Sequence, residues 1–262
     1  MTRAVHFNGT TYLLNTTLGG ISAFSSNLSC GVLSYWYKAD TTLDATVLLA
    51  FANISGGHCL RLVHYNPGGS SNVYPMLQLQ RPQAVAGTSV FLLGGTTLPY
   101  DGDWHHVLFS WSVNTSPVVA KCQLDGASVT LSTPLPTLGA FTIDYSIADD
   151  WRIAGEYSSS PMGTYLGDLA EVYLQCLNIY IDPDASLGVS IGGVLVGGKG
   201  FRWNDNKAME IGPDGSGALG QSGLVPQVYC TGDSGTFPSN GGGSRAFSIT
   251  GTLATAGSDP FP

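Results

Sequence analysis

The sequence Asp103-Trp104-His105-His106-Val107-Leu108-Phe109-Ser110-Trp111-Ser112-Val113 has the clearest β-strand pattern in the chain. Val107, Phe109, Trp111 and Val113 recur with a period of two, which places them on one face of a strand. His106, Ser110 and Ser112 fall on the opposite face, where Leu108 is the apolar exception. One apolar and one largely polar face are typical of an antiparallel sheet that covers a core on one side.

The segments after this strand predict a hairpin. Residues 118–124 form a second apolar-rich run, and Asp125-Gly126 is a two-residue turn signal that leads into residues 127–131. Gly126 supplies the positive φ that such a tight turn needs.

Short alternating runs recur along the rest of the chain, separated by Gly, Pro, Asn and Asp. Within one of them Leu60, Leu62 and His64 share a face, and within another Ala170, Val172 and Leu174 are expected to face inward. The sequence therefore predicts an all-β protein, a two-sheet antiparallel jelly-roll sandwich. The predicted strands are residues 32–38, 46–51, 58–65, 106–113, 118–124, 127–131, 141–147, 151–154, 165–174, 225–231 and 246–253.

One segment suggests a helix. Residues 185–196 could form a short helix with Asp184 as its N-cap, although Gly188, Gly192 and Gly193 weaken this prediction.

Composition narrows the possible partners. The chain has 262 residues, 43% of them hydrophobic and only 11% charged, so a sizeable core can form. The formal net charge is −8 and no basic run is present, which argues against a nucleic-acid partner. No run approaches the length of a membrane span, so no membrane insertion is expected.

The cysteine count and the first residues bear on where the chain is made. Five cysteines, at 30, 59, 122, 176 and 230, form no CxxC motif and leave an odd thiol. Buried free thiols in a reducing cytoplasm are the expectation. The start, residues 1–7, lacks an apolar signal core, so classical secretion is not expected.

Three stretches resemble laminin G and pentraxin-like domains. They are residues 4–13, with Ala4-Val5-His6-Phe7-Asn8-Gly9; residues 101–126, with Asp103-Trp104-His105-His106-Val107 and Leu124-Asp125-Gly126; and residues 153–173, with Tyr165-Leu166-Gly167-Asp168-Leu169-Ala170-Glu171-Val172-Tyr173. The resemblance implies a concanavalin A-like sandwich core over residues 1–176. Residues 177–262 are then a Gly-rich extension whose strands rejoin the same sandwich, with two domains as the alternative.

The extension resembles a tail found on concanavalin A-like proteins of tailed bacteriophages, on residues 201–216, 228–233 and 246–251. This resemblance implies a non-enzymatic virion structural protein: a capsid decoration, a head fibre or a tail-associated component. It would be made in the host cytoplasm and would dock on other virion proteins, as a homo-oligomer in the particle. The alternative is a carbohydrate-binding module for host or mucosal glycans, and a polysaccharide-degrading enzyme ranks third.

Catalytic signatures are not found in the sequence, so no catalytic residue is predicted. Retaining glycosidases place two carboxylates about 5–5.5 Å apart. Asp168 and Glu171 have odd spacing, which predicts opposite strand faces, and Asp182 and Asp184 flank a proline. No Gly-x-Ser-x-Gly elbow precedes a helix. His105 and His106, as strand neighbours, should point to opposite faces and cannot chelate one metal, so we expect a surface and a packed histidine.

Binding residues are harder to single out. Asp101, Asp103, Asp149 and Asp150 could offer loop oxygens to Ca²⁺, but aspartates in turns usually cap backbone N–H groups. No metal or cofactor site is therefore assigned, and Ca²⁺ is left open. Glycan binding needs exposed aromatic rings beside polar groups. Tyr100, Trp151, Tyr157 and Trp203 are candidates, but a sequence does not separate exposed from buried rings.

Overall fold

The computed structural model describes residues 4–16, 28–39, 46–52, 58–67, 72–80, 89–115, 117–131, 143, 150–155, 163–177, 180, 182, 189–191, 194–196, 228–239, 246–258 and 260. These residues form mostly strands, together with a 3₁₀ turn at Phe237–Ser239. The strands are β1 Ala4–Asn8, β2 Tyr12–Asn15, β3 Cys30–Lys38, β4 Thr46–Ala52, β5 His58–Tyr65, β6 Tyr74–Gln80, β7 Ser89–Leu93, β8 Trp104–Ser112, β9 Val119–Leu124, β10 Ala127–Val129, β11 Asp150–Ile153, β12 Gly163–Thr164, β13 Leu166–Leu177, β14 Val189–Ile191, β15 Val194–Val196, β16 Val228–Cys230, β17 Ser248–Thr250 and β18 Ala254–Thr255.

Two large sheets make up the sandwich. Sheet A has the order β10-β9-β8-β3-β13-β1-β18, with β16 also paired to β13. Sheet B has the order β17-β2-β11-β4-β5-β6-β7, with β12 also paired to β4. Within the described residues every pairing is antiparallel except that of β12 with β4. The predicted all-β, two-sheet antiparallel jelly-roll sandwich is confirmed.

The core lies between the two sheets. From sheet A the alternate residues Leu33, Tyr35 and Tyr37 of β3 enter it, and from sheet B Leu60 and Leu62 of β5. The period-two expectation for β5 and β8 is confirmed, because Val107, Phe109, Trp111 and Val113 also lie in this cluster. Burial of these apolar faces is the main favourable term in the stability of the fold.

A β-bulge in β13 reverses one predicted face. The register between β13 and β3 shifts between Ala170 and Tyr173, and Glu171 has φ 50°. Val172 and Leu174 face the core as expected, but Ala170 packs with Trp36 on the outer face of sheet A. The inward prediction for Ala170 is wrong because one extra residue in the strand changes the phase of the alternation.

The C-terminal segment contributes strands to both sheets. β16 pairs with β13, β18 pairs with β1, and β17 pairs with β2. The boundary proposed at residue 176 stays a prediction, and so does the choice between one domain and two.

The predicted helix over residues 185–196 is wrong. β14 and β15 form an antiparallel pair in which Val189 lies opposite Val196 and Ile191 opposite Val194. β-branched residues favour extended backbone, and this preference is stronger than the weak helical signal around the glycines. Of the predicted strand over residues 141–147, only Ile143 lies within the described residues, in a bridge with Leu28.

Among the described residues, no helix has the length and apolarity needed to cross a membrane.

Substituting Gly31 should test the packing at the centre of the sandwich. A Cβ at Gly31 would lie 2.2 Å from Cζ2 of Trp111, whose ring is fully buried. We expect Gly31→Ala to lower the free energy of unfolding by about 1–3 kcal/mol, because the core must shift to admit the methyl group. The measurement is urea unfolding. Gly257→Ala is the control, since nothing lies within 4 Å of its Cβ, and equal losses in both variants would contradict the packing argument.

Candidate functional site

A cluster of polar and aromatic side chains lies at the end of the sandwich where β8 begins and the β9–β10 hairpin turns. We call it the rim site and define it as Tyr37, Tyr100, Asp101, His105 and Asp125. These residues come from β3, from segment 94–103, from β8 and from the hairpin turn. The site therefore joins groups from four structural elements.

Strand register brings the rim site together. Tyr37 lies opposite His105 in the pairing of β3 with β8, and the two rings are 5.6 Å apart. Val107 lies opposite Leu124 in the pairing of β8 with β9, so the next residue, Asp125, is beside the start of β8. Asp125 has φ 50°, a left-handed conformation that Asp tolerates in a tight turn.

Backbone hydrogen bonds hold segment 94–103 in place. The N–H of Leu98 donates to the carbonyl of Val73 at 2.7 Å, and the N–H of Gly102 donates to the carbonyl of Ala39 at 3.1 Å. A loop with such anchors presents its side chains in a fixed arrangement, which reduces the ordering cost of binding.

His105 makes the central contacts of the rim site. Its Nδ1 lies 2.7 Å from Oδ2 of Asp125, and its Nε2 lies 3.1 Å from Oδ1 of Asp101. Partial burial of the ring opposes its charge, but the hydrogen bonds with Asp125 and then Asp101 outweigh that effect and raise the pKa of His105. The side chain is 14% exposed, so the expected surface histidine is largely enclosed.

Asp101 is the most accessible carboxylate of the rim site. Its Oδ1 accepts hydrogen bonds from the N–H of Asp103 and from His105, and the N–H of Asp103 is the larger cause of its lowered pKa. Its side chain is 53% exposed. Oδ2 makes no hydrogen bond within the described residues, so the carboxylate is held by one oxygen and offers the other to solvent.

His64 is buried beneath the rim site. The sequence predicted only that it shares a strand face with Leu60 and Leu62. The hydroxyl of Tyr35 lies 2.9 Å from Nε2 of His64, and the hydroxyl of Tyr100 lies 2.7 Å from its Nδ1. A neutral imidazole has one donor and one acceptor, so one hydroxyl donates and the other accepts. Burial lowers the pKa of His64 to about 3. Tyr100 is itself half-buried, so its hydroxyl connects the buried His64 and Tyr35 to the rim site.

Of the other candidate carboxylates, Asp150 and Asp182 are already occupied, and Asp103 is exposed in the same turn as Asp101. Asp150 is buried and accepts from Nε of Arg152 at 2.7 Å, which excludes it as an exposed calcium ligand, and Asp149 lies outside the described residues. Asp182 accepts from Lys121 at 2.7 Å, and Asp184 also lies outside. Asp101 caps the N–H of Asp103, as turn aspartates usually do. In the part of the chain that is described, no group of three or more potential ligands is placed to hold a metal.

The prediction that Asp168 and Glu171 face opposite sides of β13 is wrong. Asp168 bonds Nδ1 of His6 at 2.7 Å, and Glu171 accepts hydrogen bonds from the hydroxyls of Tyr229 and Thr231. His6 and Tyr229 both alternate with core residues, so both carboxylates lie on the outer face of sheet A. The bulge at Glu171 has shifted the phase. Each carboxylate is held by its own partners, so the pair does not form a glycosidase site.

The aromatic and histidine candidates differ clearly in their burial. Trp151 is fully in the core, so it cannot contact a ligand, while Tyr100 is half-buried at the rim. Tyr157 and Trp203 lie outside the described residues. His106 is buried on the outer face of sheet A, where Ser34 bonds its Nε2 at 2.7 Å, so it and His105 do point to opposite faces.

A separate pocket of about 340 Å³ runs along the β9–β10 hairpin. Lys121, Ser128 and Thr130 supply its polar lining. The Lys121 ammonium is already paired with Asp182. The rim site offers an oriented and partly exposed carboxylate, Asp101, next in the chain to the half-buried Tyr100, and we regard it as the candidate functional site.

The fold defines the chain as an antiparallel, two-sheet jelly-roll sandwich. No protein-family model and no curated protein matches the chain. Solved structures do match. A putative carbohydrate-binding protein from Bacteroides ovatus is similar with a TM-score of 0.58 and 13% identity, over 98% of this chain and 61% of that chain.

Two further solved structures match with lower TM-scores. The heptameric SAP-like pentraxin from Limulus polyphemus has a TM-score of 0.45 and 13% identity over 77% of this chain and 88% of that chain. Domains LG4–5 of the mouse laminin α1 chain have a TM-score of 0.44 and 16% identity over 69% of this chain and 44% of that chain. At 13% identity, the match to the Bacteroides ovatus protein describes the fold alone.

Acid should destabilise the protein through His64. Its pKa is about 3 in the folded state and about 6.5 in the unfolded chain, so the unfolded state binds the proton as the pH falls between these values. Stability is then lost at up to about 1.4 kcal/mol per pH unit from this group. We expect His64→Gln to be less stable at pH 7 but to show a smaller further loss at pH 4, measured by urea unfolding. An unchanged acid slope would show that His64 is not the cause.

Removing the charge of Asp125 should lower the pKa of His105. Asn at position 125 tolerates the same backbone conformation and can still accept from the N–H of His106, but it no longer stabilises an imidazolium. The NMR titration of the His105 ring protons in Asp125→Asn measures this. Asp103→Asn is the control, since the contacts of His105 are with Asp101 and Asp125. An equal drop in both variants would contradict the assignment.

Proposed function

We propose that this chain is a non-enzymatic carbohydrate-binding module and that it binds glycans at the rim site. The observation that carries the proposal is the state of Asp101. One of its oxygens is fixed by the N–H of Asp103 and by His105, its side chain is 53% exposed, and it directly follows the half-buried Tyr100 in the chain.

This arrangement suits the chemistry of sugars. Sugar hydroxyls donate hydrogen bonds to carboxylates, and the apolar C–H face of a pyranose packs on an aromatic ring. A carboxylate that is already oriented loses little further freedom when a ligand binds. Asp101 and Asp125 carry two negative charges against one positive charge on His105, so neutral sugars fit the rim site better than acidic ones.

The comparison with solved structures supports the proposal at the level of fold. The Bacteroides ovatus protein that shares this architecture over nearly the whole chain carries the description of a putative carbohydrate-binding protein. The similarity between the two proteins concerns the fold. The location of the ligand is proposed from the rim site of this chain.

The occupied carboxylates support binding over hydrolysis. Glycoside hydrolysis needs one carboxylic acid and one carboxylate free to face the same glycosidic bond. In the described residues Asp150, Asp168, Glu171 and Asp182 each have a hydrogen-bonded partner in the protein. The rim carboxylates Asp101 and Asp125 are both engaged with His105.

The virion assignment stays a prediction from sequence resemblance. None of the comparisons supports a phage origin, partners in a particle or a homo-oligomer. A carbohydrate-binding module is compatible with attachment of a particle to glycans, so the two ideas do not exclude each other.

The experiment is a glycan array with the purified chain, followed by calorimetric titration of the best neutral glycan at pH 6. We expect Asp101→Asn to weaken binding by about 10- to 100-fold, because a hydrogen bond to a charged group contributes about 1.5–3 kcal/mol.

Asp233→Asn is the matched control for this substitution. Asp233 also caps a turn, through the N–H groups of Gly235 and Thr236, but it lies outside the rim site. We expect its affinity to equal that of the unsubstituted chain. An array without any ligand, or equal affinities for the Asp101→Asn variant and the unsubstituted chain, would refute the proposal. Depolymerisation of a bound glycan would show an enzyme instead.

A further inference from the structure

We propose that His105 is a pH switch for the rim site: its protonated ring holds Asp101 and Asp125 together, and loss of the proton releases Asp101. This inference rests on the proposed function for its effect on glycan affinity. The switch itself is a property of the fold and can be measured without any ligand.

Hydrogen-bond stoichiometry shows that the described geometry belongs to the protonated ring. Both ring nitrogens of His105 face carboxylate oxygens, at 2.7 Å for Asp125 and 3.1 Å for Asp101. An ionised carboxylate only accepts hydrogen bonds, so both nitrogens must donate. A neutral imidazole has a single N–H and can satisfy only one of the two contacts. The imidazolium is therefore the form that connects segment 94–103 to the hairpin turn.

The two contacts differ in how easily they break. The contact with Asp125 is shorter, and the other oxygen of Asp125 accepts from the N–H of His106 at 2.8 Å. Asp101 is more exposed, at 53% against 33% for Asp125. The remaining proton of a neutral ring therefore stays on Nδ1, towards Asp125. The lone pair on Nε2 then faces Oδ1 of Asp101, and the repulsion turns that carboxylate away from the ring.

Few other charged groups bear on His105. Segment 94–103 contributes Asp101, and Asp103 follows it in the same turn. The hairpin turn contributes Asp125, and β3 contributes Tyr37, whose ring is 5.6 Å away. Burial raises the pKa of Tyr37, and its hydroxyl donates to the carbonyl of Pro99 at 3.0 Å, so it stays neutral across the range of interest. Within the described residues, the charged groups that contact His105 are the two carboxylates.

The direction of the effect follows from which form is pre-organised. Below the pKa of His105 the carboxylate of Asp101 is fixed and the rim site is ready to bind. Above it Asp101 keeps only the hydrogen bond from the N–H of Asp103 and is less firmly oriented, so affinity should fall as the pH rises. Because the pKa of His105 is raised, the change is expected above the usual histidine range. We expect a loss of about two- to fivefold, the range that partly exposed charge pairs support.

The first measurement needs no ligand. Amide hydrogen exchange in residues 94–103 and at the β9–β10 turn is followed from pH 6 to 9, after correction for the intrinsic rate, together with NMR titration of His105. We expect protection in these segments to fall as His105 loses its proton, and we expect no such fall in His105→Gln. Constant protection through the titration of His105 would overturn the proposal. A fall of equal size in His105→Gln would also overturn it.

The second measurement is glycan affinity over the same pH range. The chain with His105 should lose affinity with rising pH, and His105→Gln should show a flat profile. His6→Gln is the matched control, because His6 also bonds an aspartate, Asp168, at 2.7 Å but lies on the outer face of sheet A. It should keep the pH dependence of the unsubstituted chain. Flat affinity in the unsubstituted chain, or a pH dependence that persists in His105→Gln, would overturn the switch while leaving glycan binding intact. Failure to bind any glycan at any pH, with the exchange result as expected, would overturn the proposed function and leave the switch.

Discussion

The pairing of β3 with β8 on one side and β13 on the other is the constraint on which the rest of the structure depends. β3 is bonded along both edges for nearly its whole length, and its alternate residues supply the centre of the core. A slip of one residue would turn that apolar face outward, so the register is strongly specified. The same register places Tyr37 opposite His105. The contacts that hold the fold together therefore also position the polar groups of the rim site.

Much of the fold could be predicted because burial on one face leaves a period of two in the sequence. β5 and β8 show that pattern, and both were located with the correct face inward. β6 was not predicted, because Pro75 interrupts the strand pattern, although a proline is tolerated near the start of a strand. The bulge at Glu171 could not be seen either, since a single inserted residue matters only when the partner strand is known. Glu171 accepts hydrogen bonds from the hydroxyls of Tyr229 in β16 and of Thr231, which lie about sixty positions further along the chain.

The site was less predictable than the fold, because it is made by tertiary contacts between residues that look ordinary in sequence. Asp125 was predicted as a turn residue, and it is one, but its carboxylate also orients His105. The pairing of β8 with β9 could have suggested this, since the strand and the hairpin were both expected. Trp151 illustrates the opposite error. It was a candidate ligand-binding ring, but β11 lies between β2 and β4 in the middle of sheet B, so its side chain belongs to the core.

Two histidines that contact the same tyrosine ring show how position decides what an imidazole can do. The ring of Tyr37 is 4.8 Å from that of His64 and 5.6 Å from that of His105. His64 is wholly buried and has hydroxyl partners, so desolvation governs it and its pKa falls. His105 is only partly buried and has carboxylate partners, so its pKa rises despite the desolvation. The inner histidine is therefore neutral and structural over the physiological range, whereas the outer one can change charge where a ligand can reach it. Tyr37 contacts both histidine rings, and the hydroxyl of Tyr100 bonds the inner one, His64. The layer beneath the rim site therefore keeps its charge state over the physiological pH range. A change in protonation at His105 remains confined to the surface that would bind the ligand.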